Sequence, residues 1–159
     1  MAWFSKPKAS PVSAPIRDAL FAHLSKQASP AGNDADVLAV TLEYMIDGGM
    51  DLIAAFPGDD GARYYNHSGR AVVWNLRGDL APQIDALLTA GRRMASQVGL
   101  YAGEPVPNFQ AGDIRISVFT KRGRHFGQGP MEEIAGDAVG KPVINAGITL
   151  MQALMAKAP

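Results

Sequence analysis

Apolar positions recur along this chain with two different periods, and the changes between them mark out its elements. From Pro15 to about Gln27, Ile16, Leu20, Phe21 and Leu24 fall three or four residues apart, the spacing of one helical face. Pro15 suits the first turn, where its missing N–H would have no partner in any case. Ser29-Pro30-Ala31-Gly32-Asn33 breaks the pattern. Beyond it Val37, Leu38, Thr41, Leu42, Met45 and Ile46 again recur near helical spacing, so residues 34 to about 46 are read as a second helix. Asn33 or Asp34 is placed to cap it and Gly48-Gly49 to stop it. The β-branched Val37, Val40 and Thr41 suit a strand as well.

From Asp51 to Asn75 the pattern predicts three short strands joined by two turns. Leu52 to Phe56 is an apolar run closed by Pro57-Gly58-Asp59-Asp60-Gly61, whose Pro and Gly supply turn angles. Arg63 to Asn66 follows, Asn66-His67-Ser68-Gly69 turns the chain again, and Arg70 to Trp74 leaves as the third strand. Strand side chains alternate, so Arg63, Tyr65 and His67 are expected on one side and Tyr64 and Asn66 on the other.

A helix from near Pro82 carries Ile84, Leu87, Leu88, Gly91, Met94, Ala95 and Val98 on one stripe and ends at Gly99. Residues 99–112, with three Gly and two Pro, read as a long loop, either functional or a simple crossover. Ile114, Ile116 and Val118 then alternate with Arg115, Ser117 and Phe119, which predicts a strand with one buried and one polar face. Lys121-Arg122-Gly123 turns it back along Arg124 to Gln128, ending at Gly129-Pro130. A last helix from near Pro142 bears Val143, Ile144, Ile148, Leu150, Met151, Leu154 and Met155, a stripe too wide for a single exposed surface, which places the helix centrally or at an interface.

The predicted order is ααβββαββα. Tight turns between successive strands imply one antiparallel sheet of about five strands packed with helices, an α+β domain over residues 15–159 after a flexible leader over residues 1–14. In element order alone this resembles profilin-like modules, including the roadblock-type dimers. That resemblance implies a comparable sheet and self-association.

Composition narrows the functions available. Charge is balanced, with 15 basic and 15 acidic residues, so no overall field draws nucleic acid to the chain. The absence of cysteine removes disulfides, thiolate chemistry and Cys-ligated metal, and fits a cytoplasmic setting. No apolar run approaches a membrane span, and the first ten residues lack a secretory signal. Trp3 and Phe4, followed by Lys6 and Lys8, offer a peripheral membrane contact, weighed against an ordinary frayed terminus.

Candidate chemistry is sparse. Gly136-Asp137-Ala138-Val139-Gly140-Lys141-Pro142 precedes a helix but lacks both the spacing and the Ser or Thr of a phosphate loop. His67 and His125 flank turns, and adjacent strands would bring them together for acid–base work, though a structural role is the more ordinary one for each. Gly127-Gln128-Gly129 permits close backbone approach or marks a strand end, and Asp59-Asp60 and Glu132-Glu133 read as solvated. A third metal ligand is missing, and the sequence names neither a catalytic residue nor a cofactor. Arg63, Tyr65 and His67 with Arg115, Ser117 and Phe119 would form a cationic and aromatic patch if their strands present the same side, and an ordinary wet sheet face accounts for them equally. The expected ligand-binding residues are therefore Arg63, Tyr65, His67, Arg115, Arg124 and His125. The function expected is a non-enzymatic binding or regulatory module, a homo-oligomer recognising a protein partner or a small anion. The alternatives are a small enzyme or cofactor binder using His67 and His125 with nearby arginines, and a peripheral membrane protein.

Overall fold

The computed structural model describes residues 13–47, 49–101 and 109–158. Residues 1–12, which include most of the expected leader with Trp3 and Phe4, lie outside them. The elements are α1 (Ser13–Lys26), β1 (Val37–Ile46), β2 (Gly49–Ala55), β3 (Ala62–Tyr65), β4 (Ala71–Trp74), α2 (Ala81–Gln97), β5 (Asp113–Thr120), β6 (Arg124–Pro130), α3 (Met131–Gly136) and α4 (Gly140–Lys157). Six strands form one sheet in the order β4-β3-β2-β1-β5-β6, with every neighbouring pair antiparallel. The α+β class follows directly.

Residues 37–46 form the central strand β1, where a helix was expected. A strand covered on both sides carries apolar residues on both sides, so the alternation that betrays a half-buried strand is lost. Ala39, Val40, Thr41 and Glu43 are all completely buried. The element order is thus α-ββββ-α-ββ-αα, and the two leading helices behind the likeness to profilin-like modules are one helix and one strand.

The three expected strands of the meander are β2, β3 and β4. Gly61 closes the turn between the first two with φ +68, and a Cβ there would lie 1.8 Å from the Trp74 carbonyl oxygen. No other residue type fits. α2 and α4 cover one side of the sheet, burying Ile84, Leu87, Val143, Ile144, Leu150 and Leu154 against Val40, Leu42, Ile53, Ile116 and Val118. Glycines permit this close approach: a Cβ on Gly91 would meet Val40 Cγ2 at 2.3 Å, and one on Gly147 would meet Leu42 Cδ2 at 2.7 Å. The expected stripe of α2 is buried as predicted.

α1 packs on the other side through Leu20, Phe21 and Leu24, against Ala39, Ala54, Phe56 and Phe119. Phe21 and Phe119 meet edge to face at 5.0 Å. The outer edge of β6 is covered in part by residues 100 and 101, since Leu100 bridges His125 and the Tyr101 amide donates to the Arg124 carbonyl at 2.7 Å. The wide stripe of α4 is only partly buried. Leu150 and Leu154 are enclosed, whereas Ile148 is 37% exposed and Met155 52%.

Candidate functional site

The register of the sheet brings four of the six expected ligand-binding residues to the α1 side. Tyr65, Leu52, Glu43, Arg115 and Gln128 form one cross-strand row, and Arg63, Ala54, Thr41, Ser117 and Phe126 form the next. Arg124, opposite Phe119, lies on the same side. The patch therefore exists, but it is not a wet face: Tyr65 is 6% exposed, Arg115 7% and Ser117 not at all.

Burial of these polar groups is made tolerable by mutual pairing. Glu43, with a fully enclosed side chain, accepts from Arg17 Nε at 2.8 Å and Nη2 at 3.3 Å, and Arg115 Nη1 lies 3.9 Å from it. Burial alone would lower the Arg17 pKa, but the hydrogen bond and charge of Glu43 outweigh it and hold the group above its ordinary value. Arg115 is shifted the other way, because its desolvation exceeds the help from Glu43. Its Nε donates to Gln128 Oε1 at 2.9 Å, and its guanidinium stacks 4.3 Å from the Phe109 ring centre. Arg124 donates to Ser117 Oγ from Nε and Nη2, among the rings of Phe21, Phe119 and Phe126. Through these bonds Arg115 and Arg124 tie β5 and β6 together on this face.

His67 departs from the expected side. β3 ends at Tyr65, so alternation no longer governs His67 two residues on, and its ring turns to the Tyr64 side. There Asp51 Oδ1 accepts from the His67 amide at 2.6 Å and faces Nδ1 at 2.9 Å. This carboxylate accepts a hydrogen carried on Nδ1, and Nε2 has no partner among the described residues. Asp51 Oδ2 accepts from the Tyr64 hydroxyl at 3.2 Å, and that hydroxyl accepts from Asn66 Nδ2 at 3.0 Å. Burial and the Asp51 charge raise the Tyr64 pKa against the opposing bond from Asn66.

His125 sits at the opposite edge. β3 and β6 are four strand spacings apart, about 19 Å at the usual separation, so the sheet does not bring the two histidines together. His125 is 2% exposed, with Nδ1 2.5 Å from the Val98 carbonyl and Nε2 3.0 Å from Asp34 Oδ1. It ties the end of α2 and the segment before β1 to β6.

Two clefts flank α4. One of about 300 Å³ has almost wholly apolar walls, from Leu42, Tyr44, Ile53, Ile114, Ile148 and Met151, with Asp51 and Tyr64 also in its lining. The other, of about 570 Å³, is lined by Tyr64, Asn66, Ser68, Arg70, Val72 and Met155. Tyr64 is the wall they share. Neither was expected from the sequence, because they depend on how α4 crosses the sheet. Only the excess width of the α4 stripe signalled them.

The remaining motifs are structural. Asp137 Oδ1 accepts from the amides of Val139 and Gly140 at 2.7 and 3.1 Å, so the first turn of α4 carries its own carboxylate in place of an outside anion. A Cβ on Gly127 would approach Met94 Cε at 3.3 Å, and one on Gly129 would approach Ile134 Cδ1 at 3.2 Å, so the Gly-Gln-Gly run makes room for α2 and α3. Asp59, Asp60, Glu132 and Glu133 are exposed. Among the described residues no group of three or more His, Asp or Glu is arranged to hold a metal, and no helix is long and apolar enough to cross a membrane. The sequence matches no protein-family model, and comparisons with curated proteins and with solved structures returned no match.

Proposed function

We propose that this chain is a non-enzymatic binding module that recognises a second copy of itself through the exposed edge of α4. One observation carries the reading. Ile148, exposed at the wall of the apolar cleft of about 300 Å³, and Met155, exposed at the wall of the adjoining cleft of about 570 Å³, lie two turns apart on α4, so apolar side chains and hollows that could receive them share one face. A two-fold interface uses one patch twice and needs both features within it. Exposed apolar groups next to an apolar cleft are also the usual mark of an interaction surface. The rim is polar, from Asp51, Asn66, Ser68 and Arg70, as recognition surfaces commonly are.

Sedimentation velocity over a range of concentrations tests this. The expected result is a species of twice the chain mass, converted to monomer by Ile148→Asp with Met155→Asp, while circular dichroism stays unchanged. A monomer at every concentration removes the proposal.

A second reading, a small-molecule binder or enzyme centred on His67, is favoured by the Asp51–His67 pair, which leaves Nε2 available at a site next to both clefts. It no longer includes His125. Native mass spectrometry of protein from its own host discriminates: a small molecule retained by the native chain and lost from His67→Ala would favour it over self-association. A cytoplasmic setting suits either reading, and contact of Trp3 and Phe4 with a membrane surface remains a separate proposal, tested by liposome sedimentation with and without residues 1–8.

A further inference from the structure

A third cleft, of about 500 Å³, lies on the opposite side of the sheet from α4. Ile16, Ala19, Leu20, His23, Leu24 and Gln27 of α1 form one wall, and Leu38, Phe56, Pro57, Asp60 and Arg63 form the other. Arg63 differs from its neighbours on this side. Arg17 pairs with Glu43, Arg115 donates to Gln128 and Arg124 to Ser117, but Arg63 has no ion pair or hydrogen bond among the described residues. Its Nε is buried without an acceptor, and its guanidinium lies 5.1 Å from the centre of the Phe56 ring. Thr41, two strands along the same cross-strand row, also has a buried hydroxyl oxygen without a partner among the described residues.

Buried polar donors are nearly always satisfied, because an unmade hydrogen bond forfeits solvation with no return. A guanidinium lining an apolar cleft without an internal carboxylate is thus supplied with its acceptor from outside. The planar fork of arginine matches a carboxylate, which takes two parallel N–H donors. Leu20, Leu24, Leu38 and Phe56 offer nothing but apolar contact to the rest of such a molecule. The volume is within the range of small-ligand sites, which combine mostly apolar walls with a few placed polar groups.

We propose that this cleft binds a small molecule in which an apolar body carries a carboxylate, with the carboxylate on Arg63 and the body between α1 and Phe56. His23 and Asp60 are the other titratable groups that line it, and both are exposed. Asp60 repels the anion and so restricts the carboxylate to the Arg63 side of the cleft. This site is independent of self-association through α4, since the sheet separates the two.

The test uses the full chain with decanoate and 1-decanol, which share an apolar body and differ in the carboxylate. Amide chemical shifts are followed by NMR during titration of each. Decanoate is expected to shift resonances of α1 and β3 and to bind about tenfold more tightly than 1-decanol, the size of one charge-assisted hydrogen bond. Arg63→Gln is expected to abolish that difference at an unchanged thermal midpoint. The wild-type comparison stands on its own should the variant fail to fold. Equal binding of the two probes, a difference that persists in Arg63→Gln, shifts confined to α4, or no shift at millimolar decanoate would each overturn the proposal, the last because ordered water would then suffice for Arg63.

Discussion

The two sides of the sheet exclude water by different means. Beneath α2 and α4 the contacts are aliphatic: Ile84, Leu87, Leu150 and Leu154 meet Val40, Leu42, Ile116 and Val118, and the helices approach closely over Gly91 and Gly147. Beneath α1 the sheet carries Glu43, Arg115, Ser117 and Thr41, all buried, and fills the space with paired charges and aromatic rings. Dispersion and area burial are tolerant of small changes in position, whereas a buried charge is tolerable only while its partners stay in place. The comparison teaches where ligands are to be sought. On the aliphatic side the openings lie where α4 leaves the sheet uncovered, and on the polar side at Arg63, which has no ion pair or hydrogen bond among the described residues.

The sharpest way to break this contrast is to remove the centre of the charge network. Glu43→Ala leaves the buried Arg115 and the half-buried Arg17 without their carboxylate, and a loss of about 3–5 kcal/mol is expected in urea unfolding. On the aliphatic side Leu87→Ala, at a completely buried position, is expected to cost about 2–5 kcal/mol by transfer and cavity formation. Restoring a polar isostere separates the two mechanisms: Glu43→Gln should recover part of the loss, because an amide oxygen still accepts from Arg17. Gly91→Ala comes next, at about 1–3 kcal/mol, since the new methyl runs into the β-branched Val40, which has little freedom to move aside.

The smallest effect expected is a pH dependence at the β6 edge. Burial pushes the Asp34 carboxyl up, but hydrogen bonds from His125 and Thr120, with the charges of His125 and Arg122, outweigh it and hold the group below its ordinary value of 3.8. A carboxyl depressed in the folded state contributes stability that is complete above its unfolded pKa and is lost as pH falls through the folded one. Acid titration of the unfolding free energy should therefore show a fall beginning near pH 4, and Asp34→Asn should flatten it. An unchanged acid limb in the variant would remove Asp34 from this role.

The difference between the two sides also governs what the sequence discloses. Half-buried elements such as α2 announce themselves through a single period, and turns such as Pro57–Gly61 through residues that alone adopt their angles. β1 conceals itself because both of its faces are covered, and only the β-branched Val37, Val40 and Thr41 hint at a strand. Arg115 and Ser117 look like the wet face of β5 because the partners that permit their burial are remote. Glu43 is hydrogen-bonded by Arg17, 26 residues away, and no local spacing predicts that pairing. A charged residue inside an apolar run was the available signal, in Glu43 within VTLEYMI and in Asp51 ahead of LIAAF. Of the site candidates, Arg63 was legible as a strand residue, but that it has no ion pair or hydrogen bond among the described residues is visible only in three dimensions.

Self-association through α4 is tested most directly by a distance across the proposed two-fold. The chain has no cysteine, so Gln152→Cys, exposed on α4 between Ile148 and Met155, gives a unique spin-labelling site. Pulsed dipolar spectroscopy is expected to show a narrow interspin distance whose amplitude rises with protein concentration and disappears in the Ile148→Asp background. Absence of dipolar modulation, or modulation that Ile148→Asp leaves untouched, would contradict the assignment of α4 as the interface.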